Sequence, residues 1–194
     1  MLNSPAPTQD SNNLVWIDLE MTGLNPQTEV ILQAALIVTN AQLEPLQTYC
    51  VDIWQPESSL ETMVPFVREM HEKNGLLDRC RSSTVDVNRA EQEVLQRISA
   101  WCPYRPILCG NTIASDRKFI DRFMPALSGY LHYRMVDVSS LKVLAGLWHP
   151  EAAYNKPQDA QHDALFDIQE SIKELAHYRK KMFRQTVPLR VNSL

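Results

Sequence analysis

One stretch of the chain combines an apolar strand with two acidic residues: Leu14-Val15-Trp16-Ile17-Asp18-Leu19-Glu20-Met21-Thr22-Gly23-Leu24. Because residues two apart in a strand point to the same face, Asp18 and Glu20 present paired carboxylates opposite Ile17 and Leu19. Such a pair is costly to desolvate unless a positive group joins it. A divalent cation such as Mg²⁺ or Mn²⁺, which takes oxygen ligands, is the natural partner. The alternative is a strand whose end reaches solvent.

The composition is typical of a single folded domain. The chain has 194 residues, of which 44% are hydrophobic, and it contains no apolar run of about 18 residues that would predict a membrane span. The polar, proline-containing start does not have the pattern of a signal peptide. We therefore predict a flexible tail over residues 1–13, one domain over 14–183, a C-terminal tail over 184–194, and a cytoplasmic protein.

The net charge narrows the range of possible substrates. A net charge of −4 argues against a long basic groove that grips nucleic acid by its phosphates. A phosphate-bearing substrate would then be short or held through metal ions.

The cysteines form no Cys-x-x-Cys pair and are predicted to be reduced and mostly buried, which fits the cytoplasm; they are Cys50, Cys80, Cys102 and Cys109.

The apolar pattern predicts an α/β domain with a mixed β-sheet flanked by helices. Strands are predicted at residues 14–20, 30–39, 43–51, 106–110 and 135–138. Helices are predicted at residues 67–73, 89–101, from near 115, after 138 to 148, and at 163–182. Sites in such sheets gather at strand ends and adjacent helix termini, where the remaining acidic candidates also lie.

Three further candidates are ambiguous when taken singly. Asp116 opens a helix, where an aspartate already complements the helix dipole without any other role. His162 and Asp167 lie at the start of the last helix, and five residues within a helix do not share a face. His162 could join the site only from the first turn or before it. Asp163 shares a face with Asp167 and is therefore a rival ligand.

Taken together, these residues follow a known order. Asp-x-Glu on a first strand, an aspartate opening a middle helix, and His-x-Ala-x-x-Asp on a late helix resemble the DEDDh branch of the 3′→5′ exonuclease superfamily, which has a ribonuclease H-like fold. Residues 16–24 are similar to the oligoribonuclease signature, and the similarity continues through Gly110-Asn111-Thr112-Ile113, residues 132–142 and Asp167-Ile168-Gln169-Glu170-Ser171. It covers nearly everything after the N-terminal tail.

The resemblance implies a two-metal-ion exoribonuclease. Its metal ligands would be Asp18, Glu20, Asp116 and Asp167, holding two Mg²⁺ or Mn²⁺ ions. His162 would be the general base, a role that suits a side chain with a pKa near neutrality. The substrates would be RNA from dinucleotides to about five nucleotides, and the products nucleoside 5′-monophosphates.

The resemblance also implies substrate contacts. Leu24 would wedge between two bases, and Phe66 would stack on a base where relatives carry tryptophan. Four side chains would surround the 5′ phosphate: His71, Thr112, Arg134 and Ser139. Thr112 replaces the more usual serine, and the guanidinium of Arg134 matches phosphate oxygens. Tyr133 and Arg134 would reach this pocket from the partner subunit of a homodimer. The alternatives are a core role for Phe66 and an ordinary surface pair for Tyr133 and Arg134.

One departure concerns the second strand, where Gln33 stands in place of a glutamate found in many relatives. We expect this change to affect the surroundings of the metal ligands and not the ligand set itself, or else to alter the metal preference. Two other functions remain open at this point. One is an exonuclease acting on longer DNA or RNA, and the other is an inactive module that binds nucleotides or proteins.

Overall fold

The computed structural model describes residues 7–156 and 163–183. Five strands form one sheet in the order β3-β2-β1-β4-β5. Their bounds are Leu14–Met21 for β1, Ile31–Thr39 for β2, Pro45–Asp52 for β3, Ile107–Gly110 for β4 and Met135–Asp137 for β5. The central strand β1 pairs antiparallel with β2 and parallel with β4. The predicted mixed sheet is confirmed.

Helices cover both faces of this sheet. The larger ones are α2 (Pro65–Lys73), α4 (Val87–Trp101), α5 (Ala114–Phe123), α7 (Val138–Trp148) and α8 (Ala164–Met182). Ile17 and Leu19 of β1 belong to the core cluster that α4 and α5 complete. Trp16 belongs to the opposite cluster, together with Ala164 and Ile168 of α8. Because Asp18 and Glu20 share the face of Trp16, they point toward α8.

Three short helices were not predicted from the sequence: α1 (Glu57–Glu61), α3 (Leu76–Ser82) and α6 (Pro125–Tyr130). A 3-10 turn at Pro150–Ala152 was also not predicted. Helix α3 starts directly after Gly75, whose positive φ of 72° lies just beyond the end of α2 at Lys73. Its buried residues Leu76, Leu77 and Cys80 form a small core of their own against Leu32 of β2.

The cysteine prediction agrees with the structure, because all four thiols are free and Cys80, Cys102 and Cys109 are buried.

Part of the predicted N-terminal tail contacts the domain. The Asp10 amide and the Asn13 side chain both donate to the Trp101 carbonyl at the end of α4. The domain division stays a prediction, and the C-terminal tail lies outside the described residues. Over those residues, every helix is too short or too polar to cross a membrane.

Candidate active site

Strand β1 supplies two adjacent carboxylates on one face of the sheet. Asp18 lies opposite Ala35 of β2, and Glu20 lies opposite Gln33. The regular pairing ends between Glu20 and Met21, where the register shifts. Such irregularities re-aim side chains at the ends of strands. The sequence-predicted pairing of Asp18 and Glu20 on one face is therefore present.

Asp116 is placed against the same strand from α5. It lies in the first turn of this helix and is 7% exposed. Its Oδ1 accepts a hydrogen bond of 3.0 Å from the backbone amide of Leu19. Because Leu19 lies between Asp18 and Glu20, this bond holds the Asp116 carboxylate against β1. Asp116 is not part of the group of carboxylates within 4.8 Å of one another, which consists of Asp18, Glu20 and Asp167.

Asp167 completes the cluster from the first turn of α8. One carboxylate oxygen from each of Asp18, Glu20 and Asp167 lies within 4.8 Å of the other two. The rival ligand Asp163 has a different role, because its Oδ1 accepts from the amides of Leu165 and Phe166 and so caps the N-terminus of α8. The cap fixes the first turn of α8, from which Asp167 projects.

A lysine that the sequence analysis did not select contacts this cluster. Nζ of Lys156 donates to Oδ1 of Asp167 at 2.5 Å, and 46% of the lysine side chain remains exposed. An ammonium thus occupies one position at the edge of the cluster where positive charge is favourable. No motif in the sequence marked Lys156, because the two residues meet through the fold and not through a recognisable spacing.

Burial and mutual repulsion raise the pKa values of the carboxylates in this cluster. Burial, followed by the charges of Asp116, Glu20 and Asp167, raises the pKa of Asp18 well above its usual range. Burial and the charges of Asp167, Asp163 and Asp116 raise the pKa of Glu20 to about 7. Burial raises the pKa of Asp116 to about 7, although the hydrogen bond from the Leu19 amide acts against this rise. A bound cation would relieve the cost of burying several carboxylates.

The donor set fits a hard divalent cation. All candidate ligand atoms are carboxylate oxygens, and no thiol or described imidazole belongs to the cluster. Such a set favours Mg²⁺ or Mn²⁺ over metals that prefer sulfur or nitrogen. The predicted general base, His162, lies outside the described residues.

A second polar group lies where β4 and β5 end. Thr112 has a positive φ of 52°, and its amide donates to Asp137 Oδ1 and Ser139 Oγ, both at 2.9 Å. The hydroxyls of Thr112 and Ser139 are 3.1 Å apart. Two residues predicted to contact a 5′ phosphate are thus brought together, and Thr112 is exposed.

Asn111 links this polar group to the helix that carries Asp167. Its Oδ1 accepts from Ser139, and its Nδ2 donates to Ser171 Oγ at 2.9 Å and to Glu174 Oε2 at 3.1 Å. Ser171 in turn donates to the carbonyl of Asp167. Asn111 belongs to the Gly110-Asn111-Thr112-Ile113 motif, which alone indicates no role for its side chain. Its position shows that it joins α7 and α8 at the site.

The predicted base-binding residues lie on the surface. Leu24 is 84% exposed and Phe66 of α2 is 77% exposed, so both apolar side chains can receive a ligand. His71 of α2 is fully buried, and its Nε2 donates to the Met21 carbonyl at 3.0 Å. In the described structure His71 therefore supports the end of β1 at Met21, and Leu24 follows three residues later.

Tyr133 and Arg134 lie just before β5 and are both exposed. The Arg134 guanidinium lies over the Tyr133 ring, with 5.4 Å from its central carbon to the ring centroid. The Tyr133 ring also stacks on His132 at 4.4 Å. Both an aromatic side chain and a cation are therefore accessible at this surface.

Comparisons with known proteins agree with this geometry. A family model described as "Exonuclease" matches residues 15–175. The chain is 46% identical over 180 residues to the oligoribonuclease of Nitrosomonas eutropha, which covers 90% of this chain and 98% of the relative. It is 44% identical over 178 residues to the oligoribonuclease of an Azoarcus species, which covers 91% of this chain and 98% of the relative.

Solved structures support the fold alone. Exonuclease I from Methylocaldum szegediense superposes with a TM-score of 0.68 at 17% identity over 88% of this chain. Escherichia coli exonuclease I in complex with a dA16 oligonucleotide superposes with a TM-score of 0.65 at 14% identity, also over 88% of this chain. In both cases the match spans 41% of the larger protein.

Proposed function

The chain belongs to the oligoribonuclease family within the DEDDh 3′→5′ exonuclease superfamily, and on this basis we propose which residues perform its reaction and on what substrate. As a member of that family it is a 3′→5′ exoribonuclease that acts on short RNA. The finer proposal is a preference for dinucleotides and for oligonucleotides up to about five residues long. The observation that carries the proposed metal-dependent reaction is the convergence of three carboxylates from β1 and α8 within 4.8 Å, namely those of Asp18, Glu20 and Asp167.

Asp18, Glu20, Asp116 and Asp167 would hold two Mg²⁺ or Mn²⁺ ions. When bound, such ions activate a water nucleophile and neutralise the charge that develops on the attacking and leaving oxygens of a phosphoryl transfer. The chain holds the carboxylates in advance, since the Leu19 amide fixes Asp116 and the Asp163 cap fixes the first turn of α8. This rigidity supports catalysis, because preorganised charges need no rearrangement during the reaction.

His162 would accept the proton of the attacking water. It directly precedes Asp163, the cap of the helix that carries Asp167. Imidazole is suited to accept a proton near neutral pH.

The short-substrate preference would come from a pocket that ends at the 5′ phosphate. Thr112 and Ser139 offer two hydroxyls 3.1 Å apart, and Arg134 would add a guanidinium that pairs with phosphate oxygens. His71 was also predicted to lie at the 5′ phosphate; because it is buried and donates to the Met21 carbonyl, it would act on the substrate only through the end of β1. Leu24 and Phe66 would hold the bases by apolar contact and stacking.

A homodimer would bring Tyr133 and Arg134 to the partner's pocket. Both residues are exposed next to β5, which lies at one edge of the described sheet. The neighbouring helix α7 exposes a group of large apolar side chains, and these are Val143 (62%), Leu147 (69%) and Trp148 (66%). An exposed apolar surface of this kind favours association with a second chain. The predicted cytoplasmic location stays a prediction.

Dinucleotide turnover under controlled metal conditions tests the proposal. A 5′-phosphorylated RNA dinucleotide is incubated with Mn²⁺, Mg²⁺ or a chelator, and the parent protein is compared with Asp18→Asn. We expect hydrolysis to nucleoside 5′-monophosphates by the parent with either ion, and none with the chelator or the variant. Metal-independent hydrolysis, or full activity of Asp18→Asn, would contradict the ligand assignment.

A further inference from the structure

Three polar residues form a row across neighbouring strands, on the face of the sheet that carries the acidic cluster. Glu20 of β1 lies opposite Gln33 of β2, and Gln33 lies opposite Asp52 of β3. Directly opposed residues of antiparallel strands have side chains in contact range. Gln33 therefore stands between a proposed metal ligand and a carboxylate that the function described above does not use.

Hydrogen bonds fix the outer part of this row. Gln33 is 3% exposed, and its Nε2 donates to Asp52 Oδ1 at 2.6 Å. Asp52 Oδ2 accepts from Nε of Arg79 at 3.0 Å, and Nη1 of Arg79 donates to the Asn74 carbonyl at 3.0 Å. Both oxygens of Asp52 are thus engaged. Because an ionised carboxylate only accepts hydrogen bonds, the amide of Gln33 must present its nitrogen to Asp52.

Packing alone does not hold this row in place. A cavity of about 440 Å³ opens beside it and is lined by Gln33, Asp52 and Arg79 together with Cys50, Asn74, Asp163 and Leu165. A side chain next to such a space can change rotamer unless hydrogen bonds restrain it. The interactions of Asp52 with Gln33 and Arg79 supply that restraint.

The row also explains how the chain accommodates glutamine on β2. A glutamate at position 33 would face Asp52 across a contact of 2.6 Å and would add a charge directly beside Glu20. Like charges directly opposed on neighbouring strands are destabilising. Asp52 lies one strand further from the cluster than Gln33, and its charge is paired with that of Arg79. A neutral amide remains next to Glu20.

We propose that Asp52, held by Arg79, is a positioning residue that orients Gln33 and through it Glu20 for metal binding. The proposal rests on the function proposed above. Removing Asp52 leaves the buried Gln33 amide without its acceptor and leaves Nε of Arg79 without its carboxylate partner. Loss of the outer partners of metal ligands typically lowers metal affinity or activity by about 10- to 100-fold.

The test measures Mn²⁺ affinity by calorimetry on the full chain, with dinucleotide kcat and KM recorded in parallel. The variants are Asp52→Ala, Gln33→Glu and the double variant. As a control, Glu57→Ala removes the ion pair between Glu57 and Arg81, which lies on the same helix as Arg79 and does not include a residue of the row. We expect each single variant to bind Mn²⁺ about tenfold more weakly or worse. The double variant, which returns one carboxylate to β2 for Arg79, should recover most of the affinity. Glu57→Ala should match the parent.

Parental Mn²⁺ affinity in Asp52→Ala, or losses that simply add in the double variant, would overturn the proposal. Asp52→Asn keeps the side-chain volume and an acceptor for Gln33, so it decides the question if Asp52→Ala does not fold. It should show a smaller loss of affinity than alanine. A parent protein that binds Mn²⁺ and leaves dinucleotides intact would instead contradict the proposed function, while the affinities still test the role of Asp52.

Discussion

Replacement of Glu20 by glutamine should make the metal-free protein more stable and remove its response to metal. The pKa of Glu20 rises from 4.5 to about 7 because of burial and the surrounding carboxylates, and each pKa unit corresponds to about 1.4 kcal/mol. Above pH 7 the ionised side chain therefore costs the folded chain up to about 3 kcal/mol, which partial solvent screening reduces to about 1–2 kcal/mol. Glutamine has a similar volume and carries no charge.

The sign of the pH dependence follows from the raised pKa. Below pH 4.5 the Glu20 carboxyl is protonated in both the folded and the unfolded chain, so it costs nothing. Between pH 4.5 and about 7 the unfolded chain has lost this proton while the folded chain still holds it, so stability falls as the pH rises, and the fall ends once the folded chain has lost the proton too. The metal-free parent should therefore lose stability between about pH 5 and pH 8, and Glu20→Gln should lose less.

Thermal unfolding at pH 8 with a chelator and with Mn²⁺ measures both effects. With the chelator, the Tm of Glu20→Gln should exceed that of the parent by about 2–8 °C for a chain of this size. Mn²⁺ at about 100 times its Kd should stabilise the parent by about 2.7 kcal/mol and leave the variant nearly unchanged. Glu61→Gln, an exposed residue of α1, should match the parent in both conditions. A variant that is less stable than the parent in chelator would contradict the cost assigned to the buried Glu20 charge. A variant that keeps the full Mn²⁺ response would contradict the role of Glu20 as a metal ligand.

Four further predictions concern other parts of the site. His162→Ala should lower dinucleotide turnover by about 10²–10⁴ while keeping the Mn²⁺-induced rise in Tm; loss of both would mean a structural role. Phe66→Ala should raise KM roughly tenfold through lost stacking, with Tm unchanged because the ring is exposed; an unchanged KM would remove Phe66 from the substrate site. Lys156→Met should strengthen Mn²⁺ binding measured by calorimetry, since it removes an ammonium from Asp167. Weaker binding would show that Lys156 does not compete with the metal ion for the Asp167 carboxylate. Leu147→Glu should convert a dimer to monomers in light scattering and lower activity; an unchanged dimer would exclude this face of α7.

The parts of the fold that could be predicted from the sequence depend on local patterns. The apolar runs of β1 and β2 and the helical spacing of α4 and α8 predicted their elements close to the observed bounds. The alternation along β1 placed Asp18 and Glu20 on one face because strand geometry repeats every two residues. The short helices α1, α3 and α6 span at most seven residues each, which is too few for a helical period to stand out.

The contacts that complete the site could not be predicted, because they join distant parts of the chain. The bond from the Leu19 amide to Asp116 spans 97 residues, and the bond from Asn111 to Glu174 spans 63. Asp163 was a rival ligand on spacing alone, and only its bonds to the Leu165 and Phe166 amides showed that it caps α8. Where such pairs meet is decided by the packing of helices on the sheet, which one sequence does not reveal.

Hydrolysis as a function of substrate length tests whether a pocket that ends at the 5′ phosphate makes the enzyme prefer short RNA. Labelled RNA of two, three, five, seven and about twenty nucleotides, with matched DNA, is incubated with the parent protein and Mn²⁺. A pocket that ends at the 5′ phosphate predicts that kcat/KM is highest for the RNA dinucleotide and falls steeply as the strand lengthens. Equal or faster cleavage of the longest strands would contradict the pocket and would identify a general exonuclease on the same fold.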